Sequence, residues 1–217
     1  MKVSEAVETR RSIRAFESRP VESGLLRELL ARAARAPSGG NVQPWRIYLL
    51  NGPAMARFRE FLAGRAAPET PAYAIYPENL KSPYRDSRFK VGEDMYARLG
   101  IPREDKAARF RWIARNFEFF GAPAAFFCFV DRQMGPPQWS DLGMFLQTFM
   151  LLAREAGLDT CAQEAWAMRA ESVQTFVEAP PELMLFCGMA IGYRDEAAPV
   201  NGLVSDREPL DVWLKEL

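Results

Sequence analysis

Residues 124–130 read Ala-Ala-Phe-Phe-Cys-Phe-Val, a continuous apolar stretch. Such a run predicts a strand that is covered on both faces, because a half-exposed strand alternates apolar and polar residues. Residues 141–156, which follow it, form the most hydrophobic helical segment of the chain. Apolar residues cover so much of its circumference that this helix must be buried on most sides, either as a central core helix or at a subunit interface.

Outward from this pair, helical and strand-like segments alternate without repeats. This order predicts an α+β fold in which helices pack around a mixed sheet. The tail of the chain reads as extended and must dock on something, for which a partner subunit is one candidate. The segments are helices over 3–9, 23–36 and 54–63, strands over 46–50 and 183–191, and the tail over 197–217.

Residues 64–120 interrupt this order. From residue 64 to about 84 the sequence is rich in Pro, Ala and Tyr and shows no helical or strand periodicity. A polar, aromatic-rich helical section follows to residue 120. A long insertion that has no place in the first core layer is typical of a lid. We therefore interpret residues 1–217 as a single domain in which 64–120 form a variable lid.

Charge and composition exclude several classes of protein. The chain has 28 basic and 28 acidic side chains, so its net charge is zero and no general positive field attracts nucleic acid. Its longest apolar stretches are too short to span a bilayer, and its first residues lack the apolar core of a secretory signal. Three widely spaced cysteines fit neither a disulfide framework nor a zinc site. We expect a cytoplasmic protein with no nucleic-acid or membrane partner.

The sequence contains no histidine. This excludes Ser-His-Asp and Cys-His catalysis, a histidine general base and every His-containing metal site. No spacing of Asp and Glu suggests a carboxylate metal site, and no glycine-rich nucleotide motif is present. If the protein is an enzyme, a bound cofactor must carry the reaction, and we assign no catalytic side chain and no metal.

An arginine-rich stretch lies near the start of the chain, at residues 8–16, which read Glu-Thr-Arg-Arg-Ser-Ile-Arg-Ala-Phe. Arginine offers a planar fork of donors that matches phosphate oxygens, and serine adds a hydroxyl. Because the rest of the chain is neutral, this local charge favours a small anionic ligand over a polymer. A solvated basic turn is the alternative that these nine residues leave open.

A second motif, residues 36–46, reads Ala-Pro-Ser-Gly-Gly-Asn-Val-Gln-Pro-Trp-Arg. Two glycines and two prolines between a predicted helix and strand indicate a loop whose backbone can approach a ligand closely. Ser38, Asn41 and Gln43 offer polar groups, and Trp45 offers a flat apolar wall. The same residues are also good chemistry for an ordinary connection between helix and strand.

Together with three further segments, these motifs resemble the FMN-dependent nitroreductase family. The matching segments occur in the family's order and span the chain except for the lid; they are residues 10–16, 36–45, 157–166, 188–193, and 199–201 with 207–210. The resemblance implies a three-layer α-β-α fold with a mixed central sheet, dimer-interface helices and an extended C-terminal arm. It also implies a homodimer whose FMN sites are shared between the subunits.

By the same resemblance, each motif acquires a role at the FMN. Arg10, Ser12 and Arg207 are expected to hold the phosphate, and Arg11 contributes mainly through its backbone. Arg14 is expected beside the ribityl chain and the N1/O2 edge, where a cation favours reduction. Pro37, Ser38, Gly39, Asn41 and Gln43 are expected to line the flavin from the other subunit or its edge.

The turn at Gln163 and Glu164 is expected to serve through backbone N–H groups that face the N5/O4 edge of the flavin. Donors at that edge stabilise accepted electrons without a titrating side chain. We therefore do not assign Glu164 as a general base. The alternative is a solvent-exposed glutamate in a loop.

The activity implied is ping-pong transfer of a hydride from NADPH or NADH, through flavin N5, to a small aromatic oxidant such as a nitroaromatic or a quinone. The lid is expected to contact that substrate through stacking surfaces and one arginine fork, although these residues also suit an aromatic core of the lid itself. The candidates are Tyr84, Arg88, Phe89, Tyr96, Phe110 and Trp112.

Related activities on the same scaffold stay open at this point. A reductive dehalogenase or an enone or aldehyde reductase is the main alternative, and a non-catalytic flavin-binding protein is a minor one. The dehalogenases clamp an amino-acid zwitterion with a Glu, a Tyr and a Lys of the lid. Glu93, Tyr96 and Lys106 are the residues of this chain that would have to form such a clamp.

Overall fold

A computed structural model describes residues 1–217. Eight α-helices and four β-strands are joined by short 3-10 turns and irregular segments. In chain order they are α1 Val3–Thr9, α2 Ser23–Ala33, β1 Arg46–Asn51, α3 Pro53–Ala63, α4 Tyr84–Arg98, α5 Lys106–Ala114, β2 Ala124–Asp131, α6 Pro136–Glu155, β3 Asp159–Gln163, α7 Ala170–Phe176, β4 Leu183–Gly192 and α8 Leu210–Trp213.

The apolar stretch at 124–130 forms β2, which lies inside the sheet between β1 and β4. Its seven apolar residues are fully buried because alternate side chains enter two different cores. Phe126 and Cys128 pack on one side with α2 and α6, whereas Phe127 and Phe129 pack on the other with α3 and Trp166. Helices therefore cover both faces, and the expected three-layer α-β-α fold is confirmed.

The sheet has the order β1-β2-β4-β3, and its neighbouring strands are antiparallel. The expectation of a mixed sheet is therefore wrong for these four strands, which form an antiparallel sheet. The only parallel pairing is an isolated bridge between Ser12 and Thr160, which places the arginine-rich segment against the outer edge of β3. The second isolated bridge, between Phe16 and Arg194, is antiparallel.

The predicted strands and α3 differ from the structure by one residue at one end, and the tail predicted to be extended contains the short helix α8; the larger differences are two helix boundaries and one strand. The long hydrophobic helix begins at Pro136 and not at residue 141, because prolines are compatible with the first turn of a helix, where their missing N–H is not needed. Helix α2 ends at Ala33, three residues early. Residues 159–163, for which the sequence predicts no strand and whose last residue was expected in a turn with Glu164, form the edge strand β3.

The predicted lid consists of an irregular segment, α4, α5 and a 3-10 turn over Arg115–Gly121. Its irregular part is tied to the 3-10 turn that follows β3. Arg169 donates to the carbonyl oxygen of Ala67 at 3.1 Å and lies 3.2 Å from the carboxylate of Glu69. Ala72 donates from its backbone to Ala167 at 2.9 Å. The segment that enters the lid is thereby fixed to the sheet side of the molecule.

The three cysteines are buried and free. Cys128 and Cys187 are register partners on β2 and β4, and burial raises the pKa of Cys128 to about 12. The structure contains no group of acidic or cysteine side chains arranged to hold a metal ion. None of its helices has both the length and the apolar character needed to cross a membrane.

Gly188 of β4 is expected to tolerate no side chain. A Cβ at this position would lie 2.3 Å from Cδ1 of the fully buried Trp166, whose ring packs against the core phenylalanines. We expect Gly188→Ala to lower the free energy of unfolding by about 1–3 kcal/mol, the usual cost of overpacking a core. Urea denaturation at equilibrium measures this change.

Gly143→Ala is the matched control. Gly143 lies in α6, and a Cβ at this position would meet no heavy atom within 4 Å. The substitution is therefore expected to stabilise the protein by up to about 1 kcal/mol through helix propensity. Equal effects of the two substitutions would contradict the packing argument for Gly188.

Candidate functional site

The arginine-rich segment leaves α1 as extended chain and runs along the sheet edge. Ile13 donates from its backbone to the carbonyl oxygen of Thr160 at 3.0 Å, and its side chain is fully buried. Because successive side chains of extended chain point to opposite sides, burial of Ile13 directs its neighbours Ser12 and Arg14 outward. The pairing with β3 therefore aims the polar side chains of this segment at one space.

The C-terminal arm returns to the same segment through Asn201, which is 6% exposed. The side-chain oxygen of Asn201 accepts from the backbone N–H of Arg14 at 2.8 Å. Its amide group donates to the carbonyl oxygens of Ala15 at 2.8 Å and Asp195 at 2.9 Å. This clamp fixes the start of the arm that carries Arg207.

A first cavity of about 540 Å³ lies between the arginine-rich segment and the arm. The predicted residues Arg10, Arg11, Ser12, Arg14 and Arg207 all line it, although they come from the two ends of the chain. Burial, and after it the positive charge of Arg207, lower the pKa of Arg10. Positive charges thus crowd a partly buried space in which Glu8 is the one acidic lining residue, a setting that a bound anion would relieve.

A buried carboxylate lies at the start of β3, beside the arginine-rich segment. Asp159, 4% exposed, accepts from Arg194 at 2.7 and 2.6 Å and from Arg154 at 3.3 Å. The bonds to Asp159 raise the pKa of Arg194. Arg154 also donates to the hydroxyl of Thr9 at 3.4 Å, which connects α6 with α1. The network joins α1, α6, β3 and the segment after β4 around one charge.

A second cavity, of about 370 Å³, lies beyond the end of β3, and Arg14 lines both cavities. Most of its wall is apolar, and its polar side chains are Arg14, Arg88, Asn116, Gln163 and Glu164. The apolar contacts come from the lid and from the 3-10 turn after β3; they include Ile75, Met95, Trp112, Phe120 and Met168. One arginine therefore stands between a basic space and a space suited to a flat ring.

Gln163 and Glu164 reach the second cavity in different ways. Gln163 is 2% exposed, and its amide group is occupied by the backbone and side-chain oxygens of Asn116 at 2.8 and 3.2 Å. Glu164 is exposed and begins a 3-10 turn just after the last pairing of β3. The first N–H groups of a helical turn lack internal acceptors, so the backbone here is free to donate to a ligand.

The predicted loop at Pro37, Ser38, Gly39, Asn41 and Gln43 lines neither cavity of the single chain. The backbone N–H of Gly39 donates to both carboxylate oxygens of Asp141 on α6, each at 3.3 Å. The φ angles of Asn41 and Gln43, 58° and 51°, are unusual for residues other than glycine. A strained, exposed loop of this kind is frequent at binding sites.

Trp45 is half-buried and packs against the core. Its ring stacks on Phe145 of α6 with centroids 4.9 Å apart. The flat apolar surface suggested by the sequence is therefore used to join the loop to the long helix. The same contact fixes the entry of β1 into the sheet.

The structure separates the predicted lid residues into two groups. Arg88 and Trp112 line the second cavity. Tyr84, Phe89 and Phe110 are exposed and line neither cavity, and Tyr96 is buried 4.1 Å beneath the guanidinium of Arg109. Residues that the sequence did not single out also contribute, namely Val91 and Ser205 to the first cavity and Met95, Asn116 and Met168 to the second.

Comparisons with known proteins agree with this architecture. Residues 7–193 match the sequence model of the Nitroreductase family. A 4-nitrobenzoate reductase of Pseudomonas putida is 37% identical over 203 residues, which cover 93% of this chain and 89% of that protein. A nitrobenzene nitroreductase of Ectopseudomonas oleovorans is 34% identical over 96% of this chain and 94% of that protein.

Among solved structures, the FMN and NADPH-dependent nitroreductase NfnB of Sphigopyxis sp. strain HMH superimposes with a TM-score of 0.95. It is 44% identical, with coverage of 100% of this chain and 99% of that one. The fold and the matches define an oxidoreductase. The chain belongs to the Nitroreductase family, as its motifs indicated, and the cofactors named for NfnB agree with those that the resemblance implied.

Asn201→Ala is expected to loosen the arm that carries Arg207. The substitution removes three hydrogen bonds and leaves the backbone N–H of Arg14 without its acceptor, at a cost of about 3 kcal/mol in the free energy of unfolding. Urea denaturation measures that cost, and brief trypsin digestion is expected to cut faster at Arg207. Exposed Asn79, which forms no hydrogen bond, provides the control Asn79→Ala, and cleavage equal in both variants would contradict the clamp.

Proposed function

We propose that this protein is an FMN-dependent, NAD(P)H-driven reductase of small nitroaromatic compounds that works as a homodimer. The observation that carries the proposal is the pair of cavities that share Arg14, one lined by Arg10, Ser12 and Arg207 and the other mostly apolar. A cofactor with a phosphate at one end and a flat ring at the other fits such a pair.

The donor set of the first cavity fits a phosphate. Arg10 and Arg207 would hold the phosphate oxygens with their planar forks, and the Ser12 hydroxyl would add a further bond. Burial, and after it the positive charge of Arg207, lower the pKa of Arg10, and a dianion between the two guanidinium groups would relieve their repulsion. Arg11 lines the same cavity and contributes mainly through its backbone.

At the other end, Arg14 and the backbone after β3 would surround the ring. When bound, FMN supplies reversible hydride acceptance at N5, which lets a nicotinamide donor and then an oxidant use one pocket in turn, a ping-pong scheme. The positive charge of Arg14 favours acceptance of electrons, and N–H groups near Glu164 add donors without a titrating base. Trp112 and its apolar neighbours exclude water and orient an aromatic oxidant.

Two features support a homodimer with shared sites. The loop at residues 37–43 lies outside both cavities of its own chain, so its expected contact with the cofactor requires a second chain. The arm ends in an apolar group that one chain leaves uncovered, with Leu210, Val212 and Trp213 exposed by 57, 61 and 66%. An exposed patch of this kind marks an interaction surface.

The arrangement does not favour the dehalogenase alternative. Glu93 is paired with Arg109 at 3.0 Å, and that contact lowers the pKa of Glu93. Tyr96 is buried under the same arginine, and Lys106 is exposed at the start of α5. None of the three lines either cavity, so they form no clamp for a zwitterion around the ring site.

Arg10→Ala and Arg207→Ala are each expected to weaken FMN binding roughly 10- to 100-fold, since each removes a charge-assisted hydrogen bond to the phosphate. Fluorescence titration of the apoprotein with FMN gives the dissociation constants. Arg27→Ala, which removes an exposed and unpaired arginine from α2, is the control and leaves affinity unchanged. Undiminished affinity in both variants would refute the phosphate assignment.

Light scattering on the loaded protein is expected to give the mass of two chains.

The activity itself is tested anaerobically on the FMN-loaded protein. NADPH or NADH is expected to bleach the flavin absorbance, and nitrobenzene is expected to restore it faster than a halophenol or an enone, because reduction of the nitro group is the proposed reaction. Bleaching that no nitroaromatic reverses would move the assignment to another reductase. A flavin that neither donor bleaches would indicate a binding protein.

A further inference from the structure

One face of α4 lines both cavities. Arg88, Val91 and Met95 are spaced i, i+3 and i+7, so their side chains lie on the same side of the helix. Val91 reaches the first cavity, and Arg88 and Met95 reach the second. Lys90 of the same helix contacts the arm, with its ammonium group 3.2 Å from the exposed carboxylate of Asp206. Arg88 is thus held at the wall of the ring site by the geometry of its helix.

The guanidinium of Arg88 is free to bind an anion. The side chain of Arg88 forms no hydrogen bond or salt bridge within the chain, and its guanidinium carbon lies 4.0 Å from the centroid of the Tyr76 ring. Stacking on an aromatic face uses the plane of the guanidinium and leaves its N–H donors available at the edge. Arg14, the other cation of this cavity, already donates to the backbone oxygen of Ser12 at 3.2 Å.

The rest of the second cavity suits a benzene ring. Its volume of about 370 Å³ lies in the range of small-molecule sites, and its wall is mostly apolar. The indole N–H of Trp112 contacts the sulfur of Met95 at 3.4 Å, which fixes the indole as a flat side of the site. The only acidic lining residue is Glu164, which forms no salt bridge with Arg88. A ring bound here therefore meets two arginines that form no salt bridge, Arg88 and Arg14, of which Arg14 also lines the first cavity.

We propose that Arg88 is a specificity-determining residue that binds an anionic ring substituent, above all a carboxylate, of the aromatic oxidant. The proposal rests on the proposed function, because it assumes that the oxidant enters this cavity. A carboxylate accepts two parallel N–H bonds from one guanidinium, whereas an uncharged substituent gains little from the same fork. A phosphate of the nicotinamide donor is the other source of negative charge that could reach Arg88, and the test separates the two.

The direct test is equilibrium binding to the FMN-loaded protein, measured by calorimetry with benzoate and with benzamide, a neutral compound of the same shape. Arg88→Gln is expected to weaken benzoate binding roughly tenfold and to leave benzamide unchanged. This loss of affinity is at the low end of the range for a hydrogen bond to a charged group, because Arg88 is exposed and solvent screens its charge. Arg88→Lys, which keeps the charge and loses the fork, is expected to lie between. Benzoate binding that is unchanged in Arg88→Gln would overturn the proposal.

Arg111→Gln is the matched control, because Arg111 is an exposed and unpaired arginine of α5 that lines neither cavity. It is expected to bind benzoate as the unaltered protein does. If it weakens binding as much as Arg88→Gln, the general charge of the lid is responsible and the assignment to Arg88 fails.

Steady-state kinetics identify whether Arg88 binds the carboxylate of the oxidant or a phosphate of the nicotinamide donor. In Arg88→Gln, kcat/KM for 4-nitrobenzoate is expected to fall roughly tenfold relative to nitrobenzene, with kcat/KM for NADPH unchanged. A fall confined to NADPH would overturn the proposal in favour of the donor phosphate. If the unaltered protein reduces neither nitro compound, the proposed function fails, while the benzoate titration still decides whether Arg88 binds a carboxylate.

Discussion

The buried carboxylate of Asp159 is the contact on which the site depends. Its side chain is 3% exposed and lies between the guanidinium groups of Arg194 and Arg154. A buried charge is tolerated only when it is paired and hydrogen-bonded, so the three segments that meet here have little freedom to separate. Because Asp159 begins β3, the same contact sets the edge along which the arginine-rich segment lies. The contact therefore helps to place the arginine-rich segment, which lines the first cavity.

From that edge, the two ends of the chain are brought to one place. Asn201 joins the C-terminal arm to Arg14 and Ala15, and the arm then carries Arg207 to Arg10. Lys90 connects the lid to the same arm. The C-terminal arm therefore contacts both the basic cavity and the lid. A change in the position of the arm would affect both cavities.

Much of the fold and of the basic cavity could be predicted from the sequence, because the signals were local. A long apolar run identified β2, and Arg10, Ser12 and Arg207 were recognised through motifs whose residues the structure brings together. Strand β3 has no clear strand signal because its residues are mostly polar and are buried largely with distant partners, Arg194 for Asp159 and Asn116 for Gln163. Neither partner is visible in a short window of sequence.

The lid was predicted least well, for a related reason. The sequence identifies aromatic candidates by residue type, yet Tyr84 and Phe110 are exposed to solvent and Tyr96 packs under Arg109. What decides the outcome is which face of α4 or α5 meets the cavities, and that depends on how the helices dock. The weak apolar periodicity of α4 gave no indication of that face, whereas Arg88 and Met95 share it through simple helical spacing.

All basic residues that line the first cavity are arginines, and this determines how the charge of the cavity depends on pH. Arginine stays protonated in proteins even where its pKa is lowered, and the chain has no histidine that could add or remove a charge near neutrality. The positive potential of the cavity is therefore constant across the physiological range. A phosphate monoester, whose second ionisation has a pKa of about 6, changes its own charge in that range. Any change in phosphate affinity near neutral pH thus reports the titration of the ligand and not of the protein.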